Sequence, residues 1–337
     1  MINFYMIPFY FSLMAGTLIS ISSSTWMGMW LGLEVNLLSF IPLISGTKNM
    51  MASEAALKYF ITQAMASTLL LFSIILMSFS LMYMISPMIF LMMTLNTSLL
   101  IKVGAAPFHF WFTEVMEGLN WMHGLTLLTW QKIAPMVLLI YSSKTTVYLS
   151  VIVIISVMVS GILGLNQVSL RKIMTYSSIN HIGWMIGAML YFETIWIYYF
   201  LIYTIININI VIMFKMVNTF YVKQLFISMN KNNLVKLFFI TNFMSLGGLP
   251  PFLGFLPKWL TIQTMVMNNL YSIALVMIVM TLMTLYFYMR LSFSTLVLNL
   301  SESSFYSSPP INSTYIWMLN FISIMGFISC TFMFTLM

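Results

Sequence analysis

"LLIKVGAAPFHFWF" (Leu99–Phe112) sets one lysine inside an apolar run and follows it with a glycine, two alanines, a proline and a histidine. An ionisable group at the centre of a membrane span costs roughly 2.5–3.5 kcal/mol on insertion scales, so its presence points to a pathway, a relay or a buried partner. Lys102 lies ~15 residues, or roughly 22 Å of helix, from Pro87 at the start of its span. Gly104 and Pro107 then loosen the helix just beyond it. The stretch reads as a charge at membrane depth beside a helix break.

The rest of the chain supplies the setting. It has 337 residues, 61% hydrophobic and 6% charged, with no aspartate among its six acids. Apolar spans of ~20 residues recur along its length, and no hydrophilic stretch is large enough to fold as a soluble domain. The expectation is an all-α polytopic membrane protein, one membrane domain over 1–337. Apolar runs between polar breaks place eleven transmembrane helices near 2–21, 26–44, 55–80, 87–112, 121–141, 147–165, 173–190, 194–214, 237–267, 269–289 and 315–336.

The first span (Ile2–Ile21) lacks the basic flank of a signal peptide, and nothing before it resembles an Arg-rich transit peptide, so the mature chain is expected to start here. The single cysteine, Cys330, excludes an internal disulfide and a Cys-ligated cluster or zinc site within the chain. The 35 methionines are expected to replace Ile and Leu on lipid-facing surfaces.

If all eleven helices cross, the loops on the N-terminal side hold Lys48, Arg171, Lys172, Lys215, Lys223, Lys231, Lys236 and Arg290, and the other side holds Lys144. This positive-inside bias places the N-terminus in the inner compartment and the C-terminus outside. The net charge of +7 is a topology signal, and basic residues scattered over several loops make no nucleic-acid module.

Glu34 sits in the middle of "WMGMWLGLEVNLLSFIPLI" (Trp26–Ile44), where so short a side chain cannot snorkel. Lys132 is equally central in its span, and Pro135 removes the hydrogen bond that the Gln131 carbonyl would have accepted. Lys258 belongs to a 31-residue run (Leu237–Met267) that contains Gly247, Gly248, Pro250, Pro251 and Pro257. A straight crossing needs only ~20 residues, so this helix is expected to be interrupted, which is tolerated where the backbone is buried in protein or lines a wet cavity.

Lys58 follows Glu54 by four residues near a helix start, which fits an interfacial ion pair as well as a relay. His181 fits a satisfied core histidine as well as a proton carrier. His109 and His123 sit near loop ends and need no role, and Glu114 and Glu117 read as a solvated pair. "GMWLG" (Gly28–Gly32) and "GWMIG" (Gly183–Gly187) permit close helix packing.

The broken helices are the fourth and the ninth, so helices 1 to 5 and 6 to 10 superpose with each break in the corresponding place. Five is odd, which makes the second group start from the opposite side, the inverted-repeat arrangement of secondary transporters. The expected division is 1–145 for the first repeat, 146–292 for the second and 293–337 for a loop and C-terminal helix. "GAAPFHFWF" (Gly104–Phe112) aligns with "GGLPPFLGF" (Gly247–Phe255).

At these residues, "WLGLEVNLLSFIPLI", "IKVGAAPFHFWF", "LLTWQKIAPM", "GLNQVSLRKIMTYSSINHIGWM" and "SLGGLPPFLGFLPKW", the chain resembles the subunit 2 family of mitochondrial NADH:ubiquinone oxidoreductase, respiratory complex I, in its animal, insect-like form. The resemblance covers residues 1 to about 290. It implies an antiporter-like, proton-translocating subunit of the mitochondrial inner membrane, N-terminus in the matrix and C-terminus in the intermembrane space. It implies no cofactor in this chain, with NADH, FMN, iron–sulfur clusters and ubiquinone in partner subunits. The implied partners are other membrane-arm subunits, neighbouring antiporter-like subunits among them, and membrane lipids.

Residue by residue, the resemblance assigns Glu34 to the family's conductive glutamate, Lys102 to the lysine of the first broken helix, Lys132 to the central lysine and Lys258 to the lysine of the second broken helix. Physically, desolvation disfavours a buried ammonium and a nearby carboxylate favours it, so moving that carboxylate switches a lysine between holding and releasing a proton. On this hypothesis Glu34 and Lys102 are the switching pair, Lys132 the central carrier and Lys258 the carrier toward the exit, with Lys58 and His181 as lesser candidates. The alternatives are a free-standing cation/proton antiporter, active without redox partners, and a scaffold whose charges only hold helices together. A haem-binding cytochrome fails, since the three histidines give no stacked pair.

Overall fold

The computed structural model describes residues 6–46, 49–83, 88–143, 145–229 and 233–297. The expected helix at 315–336, Cys330, and the loop residues Lys48, Lys144 and Lys231 lie outside them. Among the described residues every regular element is helical, with one isolated bridge between Ser169 and Tyr221. Cα packing divides the chain into two compact units, Met1–Ile152 and Val153–Met337.

The first unit contains α1 (Ile7–Ser22), α2 (Trp26–Ile44), α3 (Met50–Tyr83), α4 (Met88–Val103), α5 (Phe110–Gly118), α6 (Trp121–Leu128), α7 (Trp130–Tyr141) and the start of α8 (Thr146–Gly164). Thr25 starts α2, its hydroxyl accepting from the Gly28 amide at 3.3 Å. The α1–α2 contact rests on Gly32 and not on Gly28: a methyl at Gly32 would stand 2.5 Å from the Ser20 nitrogen. α3 packs on α2, α4 and α5, and α4 packs on α7. Trp30 Nε1 donates to the Ser67 carbonyl at 3.2 Å, tying α2 to α3.

The second unit is built around α9 (Leu170–Met189), which is buried on nearly every face. α10 (Glu193–Val217), α13 (Phe255–Met267) and α14 (Tyr271–Val297) pack on it. α11 (Val222–Met229), an element not expected from the sequence, and α12 (Asn233–Gly247) complete the unit. Asn218, left-handed at φ 52, ends α10 by donating its amide to the Lys215 and Phe214 carbonyls. The Asn180 amide donates to the Thr284 hydroxyl at 3.2 Å, fixing α9 to α14.

Membrane solvation explains how these helices carry so many hydroxyls. Ser73, Ser98, Ser156 and Ser177 each donate to the carbonyl three residues earlier, so no partner outside the helix is needed. Outward faces are apolar, as at Phe11, Leu18 and Leu275. The methionines divide: Met14, Met27, Met65 and Met283 are exposed on outward faces as expected, while Met116, Met136, Met174, Met185, Met265 and Met277 are buried, where a flexible thioether fills gaps that branched side chains leave.

Among the described residues six helices are long and apolar enough to cross a membrane: Trp26–Ile44, Met50–Phe79, Trp121–Tyr141, Thr146–Gly164, Glu193–Val217 and Tyr271–Val297. Shorter apolar helices are Ile7–Ser22, Met88–Val103 and Val235–Gly247. Several element boundaries refine the expectations. The span Trp121–Tyr141 keeps its expected bounds but is divided at Thr129 into α6 and α7; Thr129 stays in the right-handed helical region with distorted angles (φ −116, ψ −71), six residues before Pro135. α3 starts at Met50, which puts Lys58 in its third turn. α14 runs on to Val297, so Arg290 lies on a helix and not in a loop, as do Arg171 and Lys172 on α9, Lys215 on α10, Lys223 on α11 and Lys236 on α12.

Candidate functional site

The α4–α5 and α12–α13 interruptions are built from the same backbone device. α4 ends at Val103 and α5 begins at Phe110; between them Gly104 takes φ 80, and the amides of Gly104 and Ala105 both donate to the Leu100 carbonyl. α12 ends at Gly247 and α13 begins at Phe255; Gly248 takes φ 75, and the amides of Gly248 and Leu249 both donate to the Met244 carbonyl. Only glycine enters this left-handed region without steric penalty, so these two positions terminate their helices. The amide of Phe108 then bonds the Ala105 carbonyl at 2.8 Å, as that of Phe252 bonds Leu249 at 2.9 Å.

This geometry corrects the sequence alignment by one residue. Gly104 corresponds to Gly248, not Gly247, and with that register Pro107 falls on Pro251 and Phe108 on Phe252. A helix end at membrane depth must find partners for its last carbonyls. In the first break the Trp111 indole donates to the Ile101 carbonyl at 3.1 Å and the Gln63 amide to the Lys102 carbonyl at 3.4 Å. In the second, Lys258 itself does so: its Nζ donates to the carbonyls of Gly247 at 2.9 Å and Leu246 at 3.3 Å. Its ammonium also lies 5.9 Å from the Trp184 ring centroid.

Lys102, Lys132 and Lys258 are 7%, 2% and 6% exposed. Lys102 occupies the last turn of α4, just before its break, whereas Lys258 follows its break on α13. Lys132 lies on α7 between the Thr129 interruption and Pro135, its Nζ 5.4 Å from the Phe112 ring centroid. Lys102 and Lys132 line one cavity in the first unit. Glu34 is half-buried on α2, the helix that brings Leu33, Asn36 and Leu37 to that cavity, and does not itself line it.

The lesser candidates occupy different surroundings. Lys58 pairs with Glu54 and with Glu114, each at 2.8 Å, and its side chain is 41% exposed. Glu114 therefore bridges α5 to α3 through Lys58. His181 is buried on α9, its Nδ1 2.8 Å from the Tyr199 hydroxyl and its ring 5.2 Å from that of Tyr203. His109, expected at a loop end, is buried within the first interruption against Phe110. His123 lies on α6.

Four residues were not singled out from the sequence as part of the site: Asn36, Tyr59, Gln63 and Gln131. Each is buried and lines the cavity shared by Lys102 and Lys132. For Asn36, Gln63 and Gln131 a signal was present, since an amide inside an apolar span seeks a partner across helices.

The family model of the NADH:quinone oxidoreductase/Mrp antiporter transmembrane family matches residues 23–284. NADH-ubiquinone oxidoreductase chain 2 of Anopheles gambiae is 46% identical, and that of Aedes aegypti 49%, each alignment covering 98% of both chains. Among solved structures, a chain of respiratory complex I from Thermus thermophilus superposes with a TM-score of 0.86 at 23% identity, covering 97% of this chain and 79% of that one. A chain of the Mrp complex from Dietzia sp. DQ12-45-1b gives 0.76 at 17%, covering 90% and 62%. At these identities the structures speak to the fold, and the two insect relatives to membership. The chain belongs to the NADH-ubiquinone oxidoreductase chain 2 proteins of the NADH:quinone oxidoreductase/Mrp antiporter family.

Proposed function

We propose that this chain is the antiporter-like, proton-translocating membrane subunit of NADH:ubiquinone oxidoreductase in the mitochondrial inner membrane. Electron transfer from NADH through FMN and iron–sulfur clusters to ubiquinone takes place in partner subunits and drives it. Other membrane-arm subunits, neighbouring antiporter-like ones included, are its partners. Moving a charge against the membrane potential requires roughly 2.3 kcal/mol per 100 mV, and that energy arrives from the partners.

The observation that carries this reading is the placement of three buried lysines at helix irregularities. Lys102 and Lys258 each flank a glycine-terminated half-helix, and Lys132 sits between an interruption and a proline. Irregular backbone at membrane depth needs polar partners, and a buried ammonium needs acceptors, so each feature makes the other tolerable. Glu34 and Lys102 form the switching pair, Lys132 is the central carrier and Lys258 the carrier toward the exit. His181 is a further carrier on α9.

Joining α4 with α5, α6 with α7 and α12 with α13, leaving out the eight-residue α11 as too short to cross, and counting the crossing expected from the sequence at 315–336, makes eleven crossings. Residues 1–145 and 146–292 are then inverted five-helix repeats, with the N-terminus in the matrix and the C-terminus in the intermembrane space. Replacing Lys132 by methionine in the assembled enzyme tests the reading. NADH oxidation persists while fewer protons move per electron pair; an unchanged ratio refutes the relay. Cation/proton exchange by the isolated chain in vesicles would instead identify a free-standing antiporter.

A further inference from the structure

The cavity between Lys102 and Lys132 measures about 20 Å³, enough for one water molecule and too little for a chain of them. Its polar lining is Asn36, Tyr59, Gln63, Lys102, Gln131 and Lys132, each no more than 9% exposed. Gln131 is the hub. Its Nε2 donates to Asn36 Oδ1 on α2 at 3.0 Å, and its Oε1 accepts from the Tyr59 hydroxyl on α3 at 3.4 Å. The Tyr59 ring is held in turn against Phe40 and Trp111, at centroid distances of 5.2 and 5.9 Å.

An amide carries two N–H donors and two acceptor lone pairs. Asn36 and Tyr59 engage one of each on Gln131, which leaves one donor and one acceptor. A buried water is stable when two to four polar groups hold it. We propose that Gln131 is a positioning residue that orients a single water between Lys102 and Lys132, through which the two lysines exchange a proton. The inference rests on the relay proposed above and assigns its first step a fixed stereochemistry.

Two ammonium groups offer only donors to each other, whereas water both donates and accepts. When Lys102 is protonated and Lys132 neutral, an N–H bond of Lys102 breaks as its proton bonds to the water oxygen. One of the water's own O–H bonds breaks as that proton bonds to the Lys132 nitrogen. The water is restored and one positive charge has moved. Gln131 lies on the same helix as Lys132, one residue before it, and Pro135 deprives its carbonyl of the helical amide partner. The side chain that orients the water is thus attached to a residue whose carbonyl lacks its helical amide partner.

The test uses the assembled enzyme in vesicles with the variants Gln131→Met, Tyr59→Phe, their double mutant and Lys132→Met. Methionine keeps the length and volume of glutamine, and phenylalanine keeps the ring packing of Tyr59. The expected result is retained NADH oxidation, a lowered ratio of protons to electrons in each single mutant, and a double mutant no worse than Gln131→Met, because Tyr59 acts through Gln131. Additive losses would indicate two separate packing defects and overturn the proposal. So would Gln131→Met pumping as the parent while Lys132→Met fails, which leaves the relay intact. Parental pumping by Lys132→Met removes the relay itself. If Gln131→Met does not assemble, Tyr59→Phe decides, and an unaltered ratio there refutes the proposal. A high-resolution map of the parent enzyme should show one water within hydrogen-bond reach of Gln131, and an empty cavity contradicts it.

Discussion

Lys258 Nζ donates to the Gly247 carbonyl at 2.9 Å, and that carbonyl is the one Pro251 leaves without a helical amide. The charge and the break are therefore one construction. The ammonium terminates the half-helix, whose carbonyl end carries partial negative charge, and the exposed carbonyls compensate the ammonium.

The register of this break predicts opposite outcomes at adjacent glycines. Gly248 has φ 75, and a methyl there would stand 2.8 Å from Lys258 Cδ, so Gly248→Ala should destabilise by about 1–2 kcal/mol from backbone strain alone and displace the lysine. At Gly247 a methyl would meet Tyr288 at 3.6 Å, ordinary contact, so Gly247→Ala should be neutral or slightly stabilising. Thermal denaturation of the purified complex, with proton counting, distinguishes them. Equal tolerance at both positions would refute the register.

Removing the ammonium should also be felt in stability. Lys258→Met leaves the Leu246 and Gly247 carbonyls buried without it, at about 1–3 kcal/mol for each unsatisfied group. A lower unfolding midpoint should accompany the loss of pumping, and full stability would mean those carbonyls are satisfied without the lysine.

Lys58 should behave differently. Its side chain is 41% exposed and its partners Glu54 and Glu114 are more exposed still, so the pair is screened and weak. Lys58→Met should leave the proton-to-electron ratio unchanged and have an effect on stability that shrinks with added salt. A collapse of pumping in this variant would place Lys58 on the relay.

Topology has its own test. With Cys330 replaced, single cysteines at Asn166 and Asn233 should be shielded from an impermeant thiol reagent applied from the intermembrane space. Labelling of either would reverse the proposed orientation.

The lysines and the two breaks were legible in the sequence because charge and proline are rare in apolar runs. Their register was not: "GG" offers two candidate termini, and only the positive φ of Gly248 selects one. The Thr129 interruption was hidden because threonine is an ordinary helix residue in a membrane and Pro135 lies six positions away. α11 lies in a stretch that read as a charged loop, and its helical turns emerge only once Leu225 and Met229 are buried. Asn36, Tyr59, Gln63 and Gln131 come from three helices, so their convergence on one cavity is a tertiary fact that no local pattern encodes.

The central claim is that the Glu34 charge controls Lys102. Its most direct measurement is the number of protons moved per electron pair by the assembled enzyme carrying Glu34→Gln, Lys102→Met and both. Each single variant should keep NADH oxidation and pump fewer protons, and the double should lose less than the sum, with a shortfall on the order of 1 kcal/mol for coupled groups. Full pumping in both single variants would contradict the account and leave the charge in "LLIKVGAAPFHFWF" as packing alone.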